Sequence, residues 1–283
     1  MVQIEIVMRK TDNRGTEAIL EVTYDDRRDY HSYFCAVDDG LGKLPKERNA
    51  RLYPSEVVTI GILFALKGGH FRAFYRWLKR DWDGLFGGLP DRTALLRQLR
   101  RHEVRADQLL ADPSLLNVMD RFPIELLFPI RAGRSVQQIG SKNRDKGRWS
   151  IGLKICWVLN RLGQVVGWHW LPMNHADQDF LPLVDLMAAD GLVLTDLGFR
   201  CKAGIPDNLK LCLKGTWNDR MWIETTFSLL TVVCRAKHMF HRTAHHLQAR
   251  LAYMAAMFNI LIGLNRHLHP EDPFHISIAQ FSL

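Results

Sequence analysis

The sequence has no run of apolar residues long enough to cross a bilayer. The longest, Val57 to Leu66 and Leu251 to Leu264, fall short of the ~20 residues a spanning helix needs. Asn259 also interrupts the second. Both predict buried helices, and no membrane partner is expected. There is no C-x-x-C pair either. The five cysteines, Cys35, Cys156, Cys201, Cys212 and Cys234, are odd in number and widely spaced, which predicts reduced, mostly buried thiols. The segment Met1-Val2-Gln3-Ile4-Glu5 lacks the basic start and apolar run of a secretory signal, so a cytoplasmic location is expected. Internal repeats and low-complexity stretches are missing as well.

Acidic residues are the minority charge, 30 against 38 lysines and arginines, giving a formal charge of +8 and a pI near 9.4. A polyanionic partner follows, nucleic acid or an anionic surface, and charge alone does not separate the two. With 47% hydrophobic and 24% charged residues, the 283-residue chain has enough apolar material for one large domain or two small ones.

Residues 1 to 28 mix apolar alternation with charges and give no clear period. From Tyr30 the pattern is helical: Tyr33, Phe34, Val37 and Leu41 form a stripe, and Pro54 opens a second helix that Gly68-Gly69 ends. A third helix carries Phe71, Phe74, Tyr75 and Leu78. Asp91 or Thr93 caps a fourth, in which Leu95, Leu96 and Leu99 lie opposite arginines. A small helical domain over 1–110 is expected, with an α/β domain over 111–283.

In that second part, Leu115 to Met119 predicts a strand ending in Asp120. Residues 149 to 171 predict an antiparallel hairpin turning at Asn160 to Gly163. Asp177 to Met187 is helix-like, Leu192 to Thr195 is a compact strand broken at Asp196, and Leu209 to Leu213 is a further short strand. Two helices follow, over 219–234 and 243–264.

Asp120 and Asp196 thus stand at the carboxyl ends of inner strands, the edge where open sheets collect ligands. Glu224 follows Ile223 on a helix whose apolar side faces inward. Three converging carboxylates repel unless hard cations neutralise them, and oxygen ligands favour magnesium or manganese. A pair of such ions activates a hydroxyl on one side of a phosphodiester and stabilises the leaving oxygen on the other. Taken singly, each acid reads more readily as a turn former, a helix cap or a solvated dipole partner than as a metal ligand.

Three stretches single out this trio: Leu116-Asn117-Val118-Met119-Asp120, Leu192-Val193-Leu194-Thr195-Asp196-Leu197-Gly198-Phe199, and Trp217-Asn218-Asp219-Arg220-Met221-Trp222-Ile223-Glu224-Thr225. They resemble the transposases of bacterial insertion sequences, which carry an Asp-Asp-Glu active site on a ribonuclease H-like fold. The similarity runs from about Tyr30 to the carboxyl terminus. Trp217, Arg220 and Glu224 fall on the first three positions of the family's third motif, tyrosine, arginine, glutamate and lysine. Trp217 replaces the tyrosine and Thr231 the lysine, with Lys237 as a displaced substitute. The short spacing between the acids leaves no room for the large inserted domain of some relatives.

The resemblance implies a mixed sheet flanked by helices, with Asp120, Asp196 and Glu224 as catalytic residues and metal ligands for two magnesium or manganese ions. It implies cleavage of transposon ends and strand transfer to target DNA in a nucleoid-associated bacterial protein. A homodimer or higher oligomer is expected, because two ends must be paired. Arg220, one helical turn before Glu224, is either a phosphate contact or an intrahelical ion-pair partner.

A glycine-punctuated basic loop from Arg131 to Lys154, with Arg144, Lys146, Arg148 and Lys154, is expected to track a DNA backbone. A second cluster, including Lys237, His241, Arg242, His245 and Arg250, is a candidate grip on the transposon end. His241 and His245 have zinc-like spacing without the rest of a zinc pattern. The helices from Pro54 to His102 read equally as a helix-turn-helix reader, as packing on the catalytic core and as a dimer contact. His169, His175, Asp177 and Asp179 lie near the expected site; the two acids are the best rivals to the chosen carboxylates and read as helix-start residues. A DNA-binding repressor of the same fold and a nuclease without strand joining are the alternatives. A glycoside hydrolase also pairs carboxylates but does not require such basic loops.

Overall fold

The computed structural model describes residues 6–11, 17–22, 26–126, 139–145, 148–187, 191–202, 204–212, 220–237, 239–241 and 243–271, with the backbone alone at 6–30, 144–145, 148 and 220–222. The segment without a clear period contains β1 (Ile6–Thr11) and β2 (Glu17–Val22), an antiparallel ribbon.

Five helices follow: α1 (Asp26–Gly40), α2 (Pro54–Lys67), α3 (Phe71–Asp81), α4 (Arg92–Arg101) and α5 (Glu103–Ala106). Pro54 takes the first helical position of α2, where its missing N–H costs nothing, and Glu56 accepts the Tyr53 N–H at 2.7 Å. Asp91 caps α4 by accepting from the N–H groups of Thr93 and Ala94, both at 2.9 Å.

The main sheet contains β3 (Leu116–Glu125), β4 (Ser141–Asp145), β5 (Arg148–Leu159), β6 (Val165–Pro172), β7 (Leu192–Thr195) and β8 (Leu209–Leu211). Its order is β4-β5-β3-β7-β8, with β6 also on β5. β7 pairs parallel with β3 and β8, whereas β5 pairs antiparallel with β3, β4 and β6. The chain is therefore a mixed α/β protein with a mixed open sheet flanked by helices.

Two expectations need correction. β3 does not stop at Asp120 but runs on to Glu125, because its antiparallel register with β5 continues after the parallel partner β7 has ended at Val118↔Leu194. The expected basic loop from Arg131 to Lys154 is also not a loop throughout. Among its described residues, Ser141–Asp145 and Arg148–Leu159 are paired strands.

Both sheet faces are covered, so β5 is buried on both sides rather than alternating between core and water. Leu153, Ile155, Trp157 and Leu159 face α7 (Arg220–Val233) and α8 (Ala244–Leu268), where Trp157 packs on Phe227 and Phe258. Cys156 and Val158 face the opposite way. They join Met119, Val193 and the segment that carries Phe180, Leu183 and Val184, which contains α6 (Pro182–Asp185).

The described helices of residues 1–110 pack into the same core as the sheet. Residues of α1, α2, α4 and α5 share one continuous apolar cluster with the sheet, α7 and α8. Gly61 lets α2 approach α8, since a Cβ there would stand 2.5 Å from the Tyr253 ring. The Tyr253 hydroxyl in turn donates to the Leu99 carbonyl of α4 at 2.8 Å. Among the described residues α8 is the one helix long and apolar enough to cross a membrane, yet 83% of that window is buried inside the protein.

His241 lies partly buried beside this assembly, its ring centre 6.2 Å from that of Phe64. Burial first, then the charges of Arg250, His246 and His70, take its pKa from 6.5 down to about 3. Burial likewise lowers His102, His169 and His246. The unfolded chain therefore binds more protons than the folded one between these limits, and stability falls as pH drops from about 6.5 toward 3. Urea unfolding at pH 7 and pH 4.5 is expected to show a loss on the order of 3 kcal/mol. An unchanged midpoint would place His241 in water.

Candidate active site

The parallel pairing of β3 with β7 fixes the relation between the two aspartates. Val118 stands opposite Leu194, and Asp120 and Asp196 each lie two residues further along. Neighbouring strands are roughly 4.8 Å apart, so the two backbones bring both acids to one edge of the sheet. Asp120 is 9% exposed, and its Oδ1 accepts the N–H of Arg121 at 2.7 Å. Asp196 turns the chain out of β7, with Oδ1 accepting the Gly198 N–H at 2.9 Å.

Glu224 is reached through α7. Ile223, Phe227 and Leu230 are buried against the sheet, and Phe227 stacks on Phe122 of β3 with ring centres 5.1 Å apart. This seats the helix over the face of β3 that carries Asp120. Asp120, Phe122, Glu224, Phe227, Thr231 and Lys237 line one open cleft of about 380 Å³. The Thr231 hydroxyl donates to the Phe227 carbonyl at 2.9 Å, while Lys237 brings an ammonium to the cleft 5.9 Å from the Phe122 ring centre.

No protein-family model and no curated protein sequence matches this chain.

Arg121 also lines this cleft and belongs to a charge cluster with Asp177 and Lys154, of which the sequence offers Asp177 only as a rival carboxylate and Lys154 only as a DNA contact. Arg121 ion-pairs with Asp177, as does Lys154 at 2.8 Å, and the Lys154 Nζ also donates to the His175 carbonyl at 2.6 Å. Burial pulls the Arg121 pKa down, but its bond to Asp177 and the charges of Asp177, Asp120 and Asp196 outweigh it, so the net shift is upward. One oxygen of Asp177 and one of Asp196 each stand 2.9 Å from the point where a Gly198 Cβ would be. The two carboxylates are therefore no more than twice that distance apart. Beneath them Cys156 is held as the thiol, its pKa raised first by burial and then by Asp120 and Asp177.

Lys154, expected to contact DNA, is 8% exposed and committed to Asp177, so that assignment is withdrawn. Arg131, Arg134, Lys146, Trp217, His238 and Arg242 lie outside the described residues, as do the side chains of Arg144, Arg148 and Arg220. Asp177 does begin a helical turn, Asp177–Phe180, but its carboxylate serves the two cations rather than the backbone. Asp179 bonds His175 and the Ala176 N–H. A signal for the cluster was present in Arg121 and Lys154, cations at inner strand positions, which need a buried counter-charge.

Among the described residues no three His, Cys, Asp or Glu side chains are close enough to enclose a metal ion. The donor chemistry of Asp120 and Asp196, carboxylate oxygens in register at a sheet edge, fits a hard divalent cation. Arg121 supplies positive charge to the same group of carboxylates.

Proposed function

We propose that this chain is a metal-dependent DNA transposase with a ribonuclease H-like catalytic core, cutting phosphodiesters at element ends and joining the freed 3' hydroxyl to target DNA. The observation that carries the reading is the register of Asp120 and Asp196 on neighbouring parallel strands, with Glu224 on the same cleft as Asp120. The mixed sheet between helices supports the fold reading, and the basic character of the chain supports a DNA partner.

In this reading Asp120 and Asp196 hold magnesium or manganese, and Glu224 serves as a further ligand or as the base that orients the attacking hydroxyl. When bound, the ions supply Lewis acidity and lower the pKa of that hydroxyl. Phe122 and Phe227 form a rigid apolar floor that fixes the distance between β3 and α7. Lys237 offers a charge-assisted contact to a phosphate entering the cleft, on the side where Thr231 replaces the lysine of the resembled motif. Arg121 keeps Asp177 neutralised next to Asp196. Two ends are paired by a dimer or higher assembly.

The test supplies DNA from the flanks of the chain's own coding sequence, with and without magnesium, and follows nicking and joining. The native protein is expected to do both only with metal. Asp196→Asn is expected to lose more than about 100-fold, since partners of metal ligands alone are worth 10–100-fold. Cleavage without metal, or full activity of Asp196→Asn, overturns the mechanism. Nicking without joining identifies a nuclease. Tight binding without cutting under any divalent metal identifies a silent DNA-binding relative.

A further inference from the structure

A second cavity, of about 400 Å³, lies away from the carboxylates, between α2, the start of α3, α4 and α8. At its wall is Arg250, only 3% exposed. Its Nη2 reaches the Cys234 carbonyl at 3.3 Å and its guanidinium carbon stands 4.6 Å from the Phe64 ring centre. Its Nε and Nη1 are buried and have no hydrogen-bond partner among the described residues. Burial lowers its pKa to about 10, which leaves it charged at neutral pH. A buried cation with two unanswered donors is costly, and in folded proteins such a group is normally met by an anion.

Among the described residues, no acidic residue lines this cavity. Arg72, Arg92 and Arg100 stand at its exposed rim, and Phe71, Leu96 and Phe240 supply apolar wall. His241 also lines it, with Nδ1 buried and without a hydrogen-bond partner among the described residues. The amino terminus of the 11-residue helix α3 opens here, its N-cap His70 making no side-chain cap. Helix amino termini attract anions. The combination selects a ligand with a flat apolar body and more than one negative oxygen. It disfavours a plain inorganic ion, which would leave the apolar wall uncovered, and a neutral apolar ligand, which would leave Arg250 unanswered.

We propose that this cavity binds a nucleoside phosphate, with the phosphate answered by Arg250 and the rim arginines and the base laid against Phe71 and Phe240. The nucleoside phosphate is either a free nucleotide or the phosphorylated end of a DNA strand. The site is independent of the carboxylate chemistry.

Isothermal titration of the full chain with AMP, adenosine, inorganic phosphate and a 5'-phosphorylated trinucleotide tests the proposal. AMP or the trinucleotide is expected to bind, at least about 10-fold more tightly than adenosine or phosphate, as charged hydrogen bonds require. Preference for AMP identifies a free nucleotide, and preference for the trinucleotide identifies a strand end. Arg250→Met keeps the unbranched apolar stem of the side chain without the guanidinium and is expected to fold while losing about 30-fold in affinity. Arg72→Gln, at the surface, is expected to lose less but in the same direction, and Asp196→Asn to bind like the native chain. Equal affinity for AMP and adenosine, no binding of either phosphorylated probe, or unchanged binding by a folded Arg250→Met overturns the proposal. Should Arg250→Met not fold, unchanged binding by Arg72→Gln together with Arg100→Gln overturns it instead.

Discussion

Asp177→Asn is expected to lower folding stability by about 3–5 kcal/mol, the usual cost of removing one partner from a buried ion pair. The substitution conserves shape and removes only charge. Lys154, with a side chain 10% exposed, then keeps its ammonium out of water with a carbonyl and a neutral amide as its partners. Arg121 is more open to solvent and contributes less. Urea unfolding measures the loss, and Lys154→Met in the same chain is expected to restore much of it by removing the stranded cation. A loss under about 1 kcal/mol would show that water screens the pair. Because Asp177 stands beside Asp196 and Gly198, the same substitution is expected to loosen that end of the proposed active site.

Asn259→Leu is the second large effect, about 2–5 kcal/mol. This residue is 5% exposed in the middle of α8. Its Oδ1 accepts the Val165 N–H at 2.7 Å, and its Nδ2 donates to the carbonyls of Val165 at 2.8 Å and Leu109 at 3.1 Å. One side chain thus fastens α8 to the start of β6 and to the turn after α5. Leucine fills similar space but leaves the Val165 N–H and the Leu109 carbonyl without that partner. The Val165 carbonyl still accepts from Ala111, which keeps the estimate below three full losses. Chemical unfolding is the measurement, and a loss below about 1 kcal/mol would mean that water replaces the amide.

The difference between these two residues explains what the sequence made legible. Asn259 was visible as a polar break in an apolar run, and the run was correctly read as a buried helix, because periodicity and length report burial directly. The hairpin over β5 and β6 was legible for the same reason, and Asp91 as a cap. The extent of β3 was not, because Arg121-Phe122-Pro123 looks like a chain leaving the sheet, and only its pairing with β5 keeps it extended. The unity of the apolar core was also hidden, since it depends on α8 meeting helices far away in sequence. At the candidate site, the strand register of Asp120 and Asp196 agrees with their spacing after apolar runs. Arg121 and Lys154 signal that a counter-charge is needed, but that Asp177 supplies it depends on three separate segments meeting, which no local pattern encodes.

The sharing of one core by α8 and the amino-terminal helices has a consequence for the order in which the protein is made. α2 is apolar all round and leaves the ribosome early, whereas its partner α8 is the last described helix to emerge. At roughly 5–20 residues per second, the nascent chain carries an uncovered, aggregation-prone α2 for many seconds. The sheet, which is complete only at Leu211, waits a shorter time for α7 and α8 to cover it. Vectorial synthesis therefore cannot complete this core piece by piece, and α8 acts as the closing step for both halves at once.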